Sequence, residues 1–174
     1  MSIGIVKRNL KNEETKLLIK EIQKFPNLIS PSENQWNKFN CIYVVATNNN
    51  LIGVCVVIKL KEWIKLGPFV ILEKYQGKGF GKKIIDKIMD DYPNNNFFIG
   101  SRTPAVWKIA EKLGFKKTNN VWQLPNELKK YFIKYLIESV NVKYLKEFFR
   151  KSLIRKEKYR CYLKNSIFCR KEIV

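Results

Sequence analysis

The stretch Gln76-Gly77-Lys78-Gly79-Phe80-Gly81-Lys82-Lys83 constrains this chain more than any other. An apolar, strand-like run from Leu66 to Leu72 leads into it, and a helical pattern from Lys82 to Tyr92 leads out. Strand, glycine-rich turn and helix, in that order, make an anion site. The glycines let the backbone turn tightly, and the first N–H groups of the helix have no partner within it. Those donors and the positive end of the helix dipole point at whatever sits in the turn. Lys78, Lys82 and Lys83 add charge around it. The natural occupant is a phosphate or pyrophosphate.

Three glycine-loop patterns compete for this stretch. A Walker A loop needs four residues between its glycines and then Gly-Lys-Ser/Thr, which this chain lacks. A dinucleotide fingerprint needs Gly-x-Gly-x-x-Gly, and glycines at 77, 79 and 81 do not fit that spacing. The third pattern, Gln/Arg-x-x-Gly-x-Gly/Ala, is met by Gln76, Gly79 and Gly81. With Thr103-Pro-Ala-Val-Trp-Lys-Ile-Ala-Glu-Lys-Leu-Gly114-Phe115 downstream, the chain resembles the GNAT (GCN5-related N-acetyltransferase) family over residues 3 to 118. The resemblance implies a mixed α/β fold, with a mostly antiparallel central sheet flanked by helices. It implies acetyl-CoA as cofactor, held by Gln76, Gly77, Lys78, Gly79, Phe80, Gly81 and Lys82. The backbone of Phe69, Val70 and Ile71 would pair with the pantetheine arm, and Thr103 would contact it. The N–H near Val70 or Ile71 would polarise the thioester carbonyl.

The departures from the family pattern concern proton transfer. The family's usual Tyr acid, five residues before Phe115, is Ala110 here. Its two usual Glu bases fall on Lys65 and Phe98. None of the three can do the expected job. The remaining base candidates are Glu62, Glu73 and Glu33, and the acid candidates are Ser101, Tyr92 and Tyr75. General acid–base help contributes on the order of 10² to 10⁴-fold, so its loss need not abolish transfer.

A chain of 174 residues supports one domain with a real core. The 45% hydrophobic content excludes a disordered chain. No apolar run reaches the roughly 18 residues of a membrane span, and the N-terminus lacks a signal core, so a cytoplasmic location is expected. Four cysteines without Cys-x-x-Cys spacing, and no histidine, argue against a metal site. The net charge of +19 draws polyanions in a salt-dependent way. From Pro125 onward there are 14 Lys and Arg against 5 Asp and Glu.

Along the chain, Ile3 to Arg8 reads as a strand. Asn12 reads as the N-cap of a helix whose buried face is Leu17, Leu18, Ile22 and Phe25. Ser32 to Asn40 holds a short helix, with Glu33, Trp36 and Phe39 as candidates for acceptor contact. Cys41 to Thr47 and Leu51 to Leu60 form a hairpin around Asn48-Asn49-Asn50. Trp63 to Glu73 is the strand entering the glycine loop. Ile84, Ile85, Ile88 and Met89 form the stripe of the loop's helix, and Asp90 and Asp91 oppose its dipole near the end. Phe97 to Arg102 is a buried strand. Thr103 caps the next helix, Pro104 opens it and Gly114 closes it. Val121 to Leu124 reads as a short strand. Leu128, Tyr131, Phe132, Tyr135, Leu136 and Val140 form one amphipathic stripe, and Val142 to Ile154 a second. Tyr159 to Ile173 reads as one or two strands.

The expected organisation is an acetyl-CoA-binding core at 1–124. A basic helical extension with closing strands follows at 125–174, packed on the same domain. The expected function is acetyl transfer to a primary amine of a protein, an aminoacyl-tRNA or a small molecule. The alternative is a degenerate acyl-CoA-binding module whose basic tail meets nucleic acid or another partner. Oligomeric state is not legible.

Overall fold

The computed structural model describes residues 3–25, 30–47, 50–101, 103–118, 124–139 and 166–170. Two strands, β2 (Ile42–Thr47) and β3 (Asn50–Leu60), are the centre of its apolar mass. Their sequences are nearly unbroken in apolar residues because both sheet faces are covered. Tyr43, Val45, Cys55 and Val57 turn to one face, and Ile42, Val44, Val54 and Val56 to the other. The pair is antiparallel, as the hairpin pattern predicts.

The sheet has seven strands among the described residues, in the order β1-β2-β3-β4-β5-β7-β6. β1 (Ile3–Lys7), β4 (Trp63–Ile71), β5 (Asn96–Ser101), β6 (Lys116–Thr118) and β7 (Ser166–Arg170) join the hairpin. Only the β4–β5 pair is parallel. This is the mostly antiparallel mixed sheet the sequence implies. β6 carries no sequence signal, because three residues, Lys116-Lys117-Thr118, are too short and too polar to show a period.

Helices α3 (Phe80–Asp91) and α4 (Pro104–Lys112) cover the first face with Ile84, Ile85, Ile88 and Ala110, all fully buried. Helices α1 (Asn12–Gln23) and α2 (Glu33–Trp36) cover the second with Leu18, Ile22 and Trp36. A fifth helix, α5 (Asn126–Ser139), sets Leu128 against Trp63 and Phe98 on the β4–β5 part of the sheet.

Several local expectations need correction. The N-cap of α1 is Lys11, not Asn12. Glu14 explains the shift: its carboxylate accepts the Lys11 N–H at 2.8 Å while holding the Arg8 guanidinium at 2.6 and 2.7 Å. Leu17 is exposed, and Thr15 and Glu21 take buried places beside Leu18 and Ile22, because the helix face is set by its 100° step rather than by apolarity alone. β4 stops at Ile71, and Glu73–Tyr75 form a 3-10 turn. α3 begins at Phe80, two residues early, since Gly79 already serves as its N-cap. Asp91 does not merely oppose the dipole: it accepts the Tyr43 hydroxyl at 2.8 Å and pairs with Lys87 at 2.7 Å. Leu124 is buried but lies outside any strand, and the rest of Val121–Leu124 falls outside the described residues. So does the second expected helix, Val142 to Ile154. β7 falls inside the stretch read as strands, and its neighbours are not described.

Candidate active site

β4 and β5 part company midway. Their pairing runs from Trp63 opposite Asn96 to Leu66 opposite Ile99 and then ends, although β4 continues to Ile71 and β5 to Ser101. The cause is local. Opposite Val56, β4 carries an extra residue at Gly67-Pro68, so the register with β3 shifts between Cys55 and Val57. Gly67 has φ +121°, a region closed to side chains, and Pro68 has no N–H to give a ladder. Such a bulge bends its strand.

Beyond the bulge β4 stays paired with β3, with Phe69, Val70 and Ile71 opposite Cys55, Val54 and Gly53. The Leu72 N–H donates to the Ile52 carbonyl at 2.9 Å. Backbone groups alternate along a strand, so those of Val70 also turn to β3, while those of Phe69 and Ile71 turn to the gap. Val70 therefore is not a gap-facing donor. The Ile71 carbonyl accepts Gln76 Nε2 at 2.9 Å, which ties the glycine loop to the strand end.

The gap opens onto that loop. Gly77 and Gly79 have φ of 75° and 82°, and a Cβ on either would meet nothing within 4 Å. The first bond of α3 runs from the Lys83 N–H to the Gly79 carbonyl at 3.1 Å. No side chain caps this helix, and the N–H groups of Phe80, Gly81 and Lys82 come before its first intrahelical bond. Gly81 serves differently: a Cβ there would lie 2.9 Å from Ile109 and 3.1 Å from the Phe69 ring. Lys78 Nζ lies over the Tyr75 ring at 5.8 Å, and Lys82 pairs with Asp86 at 2.7 Å. On the β5 wall, the Ser101 hydroxyl oxygen accepts the Thr103 N–H at 3.0 Å, and Thr103 opens α4 without a side-chain cap of its own. An open turn, three unpaired donors and an unzipped strand edge suit an extended ligand with a diphosphate at one end.

The sequence-predicted proton carriers scatter. Glu62 sits in the turn before Trp63, at the closed end of β4. Tyr92 follows α3, with its hydroxyl 3.7 Å from Cys41 Sγ; burial first, and then the thiol, push its pKa up. Glu33 is exposed in the first turn of α2. Glu73 is exposed and pairs with Lys24 at 3.3 Å. It lines a cleft of ≈ 440 Å³ with Leu17, Glu21, Lys24, Leu51 and Leu72, on the β3 side of β4. Tyr75 packs its ring edge-on to Phe80 beside the loop. Ser101 alone of this group stands on a wall of the gap. Of the acceptor-contact candidates, Trp36 is 1% exposed and belongs to the core, and Phe39 packs edge-on against it at 5.6 Å.

The substituted family positions are informative. Ala110 is fully buried in the core under α4, and Phe98 is buried beneath α5. Lys65 reaches to the bulge, where its Nζ donates to the Gly67 carbonyl at 3.0 Å. Burial lowers its pKa to about 8, against a smaller upward effect of Cys55. Cys55 itself is pushed up to about 12, mainly by burial.

A protein-family model for the acetyltransferase (GNAT) family matches residues 12–115. The chain belongs to the GNAT acetyltransferase family, whose cosubstrate is acetyl-CoA. Solved structures share the fold. An N-acetylglutamate synthase from Neisseria gonorrhoeae, complexed with coenzyme A and N-acetyl-glutamate, matches with a TM-score of 0.66 and 13% identity. That match covers 100% of this chain but only 36% of the synthase, so the chain spans about a third of that protein's length. A GNAT-family acetyltransferase from Staphylococcus aureus matches at 0.60 and 16% identity, over 72% of this chain and 91% of that one. The ribosomal-protein-S18-alanine N-acetyltransferase from Escherichia coli matches at 0.54 and 14% identity, over 66% and 79%. A search of curated protein sequences gave no match. No helix among the described residues is long and apolar enough to cross a membrane.

Proposed function

We propose that this chain transfers an acetyl group from acetyl-CoA to a primary amine, with the cosubstrate lying along the open edge of β4. The observation that carries this reading is the loss of β4–β5 pairing after Leu66, on the same strand end that leads to the uncapped start of α3.

In this reading the N–H groups of Phe80, Gly81 and Lys82 take the diphosphate, aided by the helix dipole. Gln76 positions rather than binds, by fixing the Ile71 carbonyl. The gap-facing backbone of Ile71 and Phe69 pairs with the pantetheine amides, and Thr103 borders the arm from the β5 side. The arm enters from the loop, so its reactive end lies deepest, toward the bulge. Acetyl-CoA supplies an activated acyl group on a thiol leaving group. The N–H of Phe69 or Ile71 stabilises the oxyanion as the amine attacks, an effect worth roughly 3 to 4 kcal/mol for a pre-positioned donor. Holding both reactants in one gap supplies much of the remaining acceleration. With Ala110 in place of a phenol, the proton for the departing sulfur comes through water, with the Ser101 hydroxyl at the end of β5 as a relay.

The test is transfer of label from radiolabelled acetyl-CoA into protein, RNA and small-molecule fractions of a lysate, with Gly79→Glu in parallel. Coenzyme A binding is measured by calorimetry on both proteins. Label in one fraction, lost in the variant together with binding, supports the reading and names the acceptor class. Binding without transfer to any fraction favours an acyl-CoA-binding module instead.

A further inference from the structure

Lys65 is the residue that the family resemblance leaves without a role. It stands on β4 one residue before the point where β5 departs, in a position where a carboxylate is usual. Its ammonium is not spent on an ion pair, since among the described residues no carboxylate lies within salt-bridge distance of it. Instead Nζ folds back onto the Gly67 carbonyl at 3.0 Å, which places it at the bulge where the gap begins. The ring of Tyr131, from α5, lies 5.3 Å from it, and Cys55 on β3 has a small upward effect on its pKa. Neither neighbour is a carboxylate that would hold the lysine protonated.

The consequence is chemical. The nucleophile in acyl transfer is the neutral amine. With a pKa of about 8, the neutral fraction of Lys65 at pH 7.5 exceeds that of an ordinary lysine by roughly 200-fold. A neutral Nζ can donate one hydrogen to Gly67 and still present its lone pair. The reactive end of an arm laid along β4 from the glycine loop lies toward this same bulge. A nucleophilic amine and an activated acyl group therefore share the closed end of one gap.

We propose that Lys65 is an acceptor site within the chain, acetylated at Nζ by acetyl-CoA bound in the β4–β5 gap. Nζ forms a bond to the acetyl carbonyl carbon, and the carbon–sulfur bond breaks. Sulfur leaves with the electron pair, and the proton lost from Nζ passes through solvent to that sulfur. The products are acetyl-Lys65 and the free thiol of coenzyme A. The modified side chain has no charge to place over Tyr131. The proposal rests on the cosubstrate reading above, and the test separates the two.

The purified full chain is incubated with isotope-labelled acetyl-CoA, and acetyl-lysines are mapped by mass spectrometry over time. Coenzyme A affinity is measured on the same sample. Lys65 is expected to become labelled at least tenfold faster than exposed Lys16 and Lys108, at a rate independent of protein concentration. Excess free coenzyme A slows it in the unmodified chain, and Gly79→Glu abolishes it. If coenzyme A binds while Lys65 is labelled no faster than Lys16, the proposal is overturned and the cosubstrate reading stands. If coenzyme A does not bind, both fall. Equal labelling of Lys65 in Gly79→Glu, or no protection by excess coenzyme A, reveals a merely reactive amine and overturns transfer within the gap. A second readout needs no cosubstrate. Trace acetic anhydride labelling of the free chain across pH is expected to rise at Lys65 with a midpoint near 8, and a midpoint above 10 overturns the proposal.

Discussion

The carboxylate of Glu21, on α1, accepts the backbone N–H of Glu73 at 2.6 Å, just past the end of β4. The same carboxylate pairs with Lys24 at 2.7 Å, and its side chain is only 7% exposed. One buried acid thus fastens the first helix to the strand that borders the gap. Glu21→Ala leaves that N–H without its acceptor and is expected to cost about 2 to 3 kcal/mol. Glu21→Gln keeps an acceptor oxygen and should cost less. Urea denaturation of the two variants measures the difference, and equal losses would show that the bond to Glu73 contributes nothing.

Acid should weaken the fold through the same group. Burial raises the Glu21 pKa, but the Lys24 ammonium and the Glu73 N–H together outweigh it and hold the carboxyl below its usual range. Arg8 lowers Glu14, and Lys87 and then Tyr43 lower Asp91. A depressed folded-state pKa contributes stability that is present above the unfolded value, about 4 for these acids. That stability is lost as pH falls through the folded values. Melting temperature is expected to drop steeply below about pH 4, and in Glu21→Gln to drop less over that range.

Gly79 and Gly81 should fail in different ways when changed to alanine. At Gly79 the added Cβ meets nothing, so the loss is the left-handed backbone penalty of about 1 kcal/mol, plus whatever the Cβ takes from the diphosphate space. Coenzyme A affinity is expected to fall at least tenfold with a modest loss of stability. At Gly81 the Cβ would press on Ile109 and on the Phe69 ring, costing about 1 to 3 kcal/mol and moving a residue of the gap wall. Calorimetry with coenzyme A and thermal melting, run on both, separate the two effects.

Gln76→Ala tests whether the loop needs its tether to Ile71. The bond is exposed, so stability should change by about 1 kcal/mol or less. Coenzyme A affinity is expected to fall severalfold, because the diphosphate turn and the strand edge would no longer be held together. Unchanged affinity would show that the loop holds its shape without the tether.

Leu128→Ala addresses whether the extension beyond residue 125 is part of the same folding unit. Leu128 is fully buried against Trp63 and Phe98, and such a truncation is expected to cost about 2 to 4 kcal/mol in a single cooperative transition. A second, separate transition would show instead that the extension folds by itself.

Some of this protein was readable residue by residue. The glycine spacing at 77, 79 and 81, the Thr103-Pro104 start and the Gly114 stop act over a few neighbouring atoms, so sequence carries them directly. The stripe Ile84, Ile85 and Ile88 is equally local, because one helix period fixes it. Trp36 could not be told from a ligand contact, since a large ring beside a short helix looks the same in either role. Only its packing beneath α1 and above β2 decided that it is core.

The local instructions are legible along the chain: where it turns, which helix starts after a glycine, and which family's pattern it follows. Tertiary structure alone decided the rest. The bulge at Gly67-Pro68 exists only against the register of β3, and the gap only where the β4–β5 pairing ends after Leu66. Which of Phe69, Val70 and Ile71 faces that gap follows from a hydrogen bond made twenty residues away, between Leu72 and Ile52. In sequence Lys65 stands out only as a lysine where the family resemblance expects a carboxylate base. Its lowered pKa comes from burial, which is a property of what surrounds a group in space.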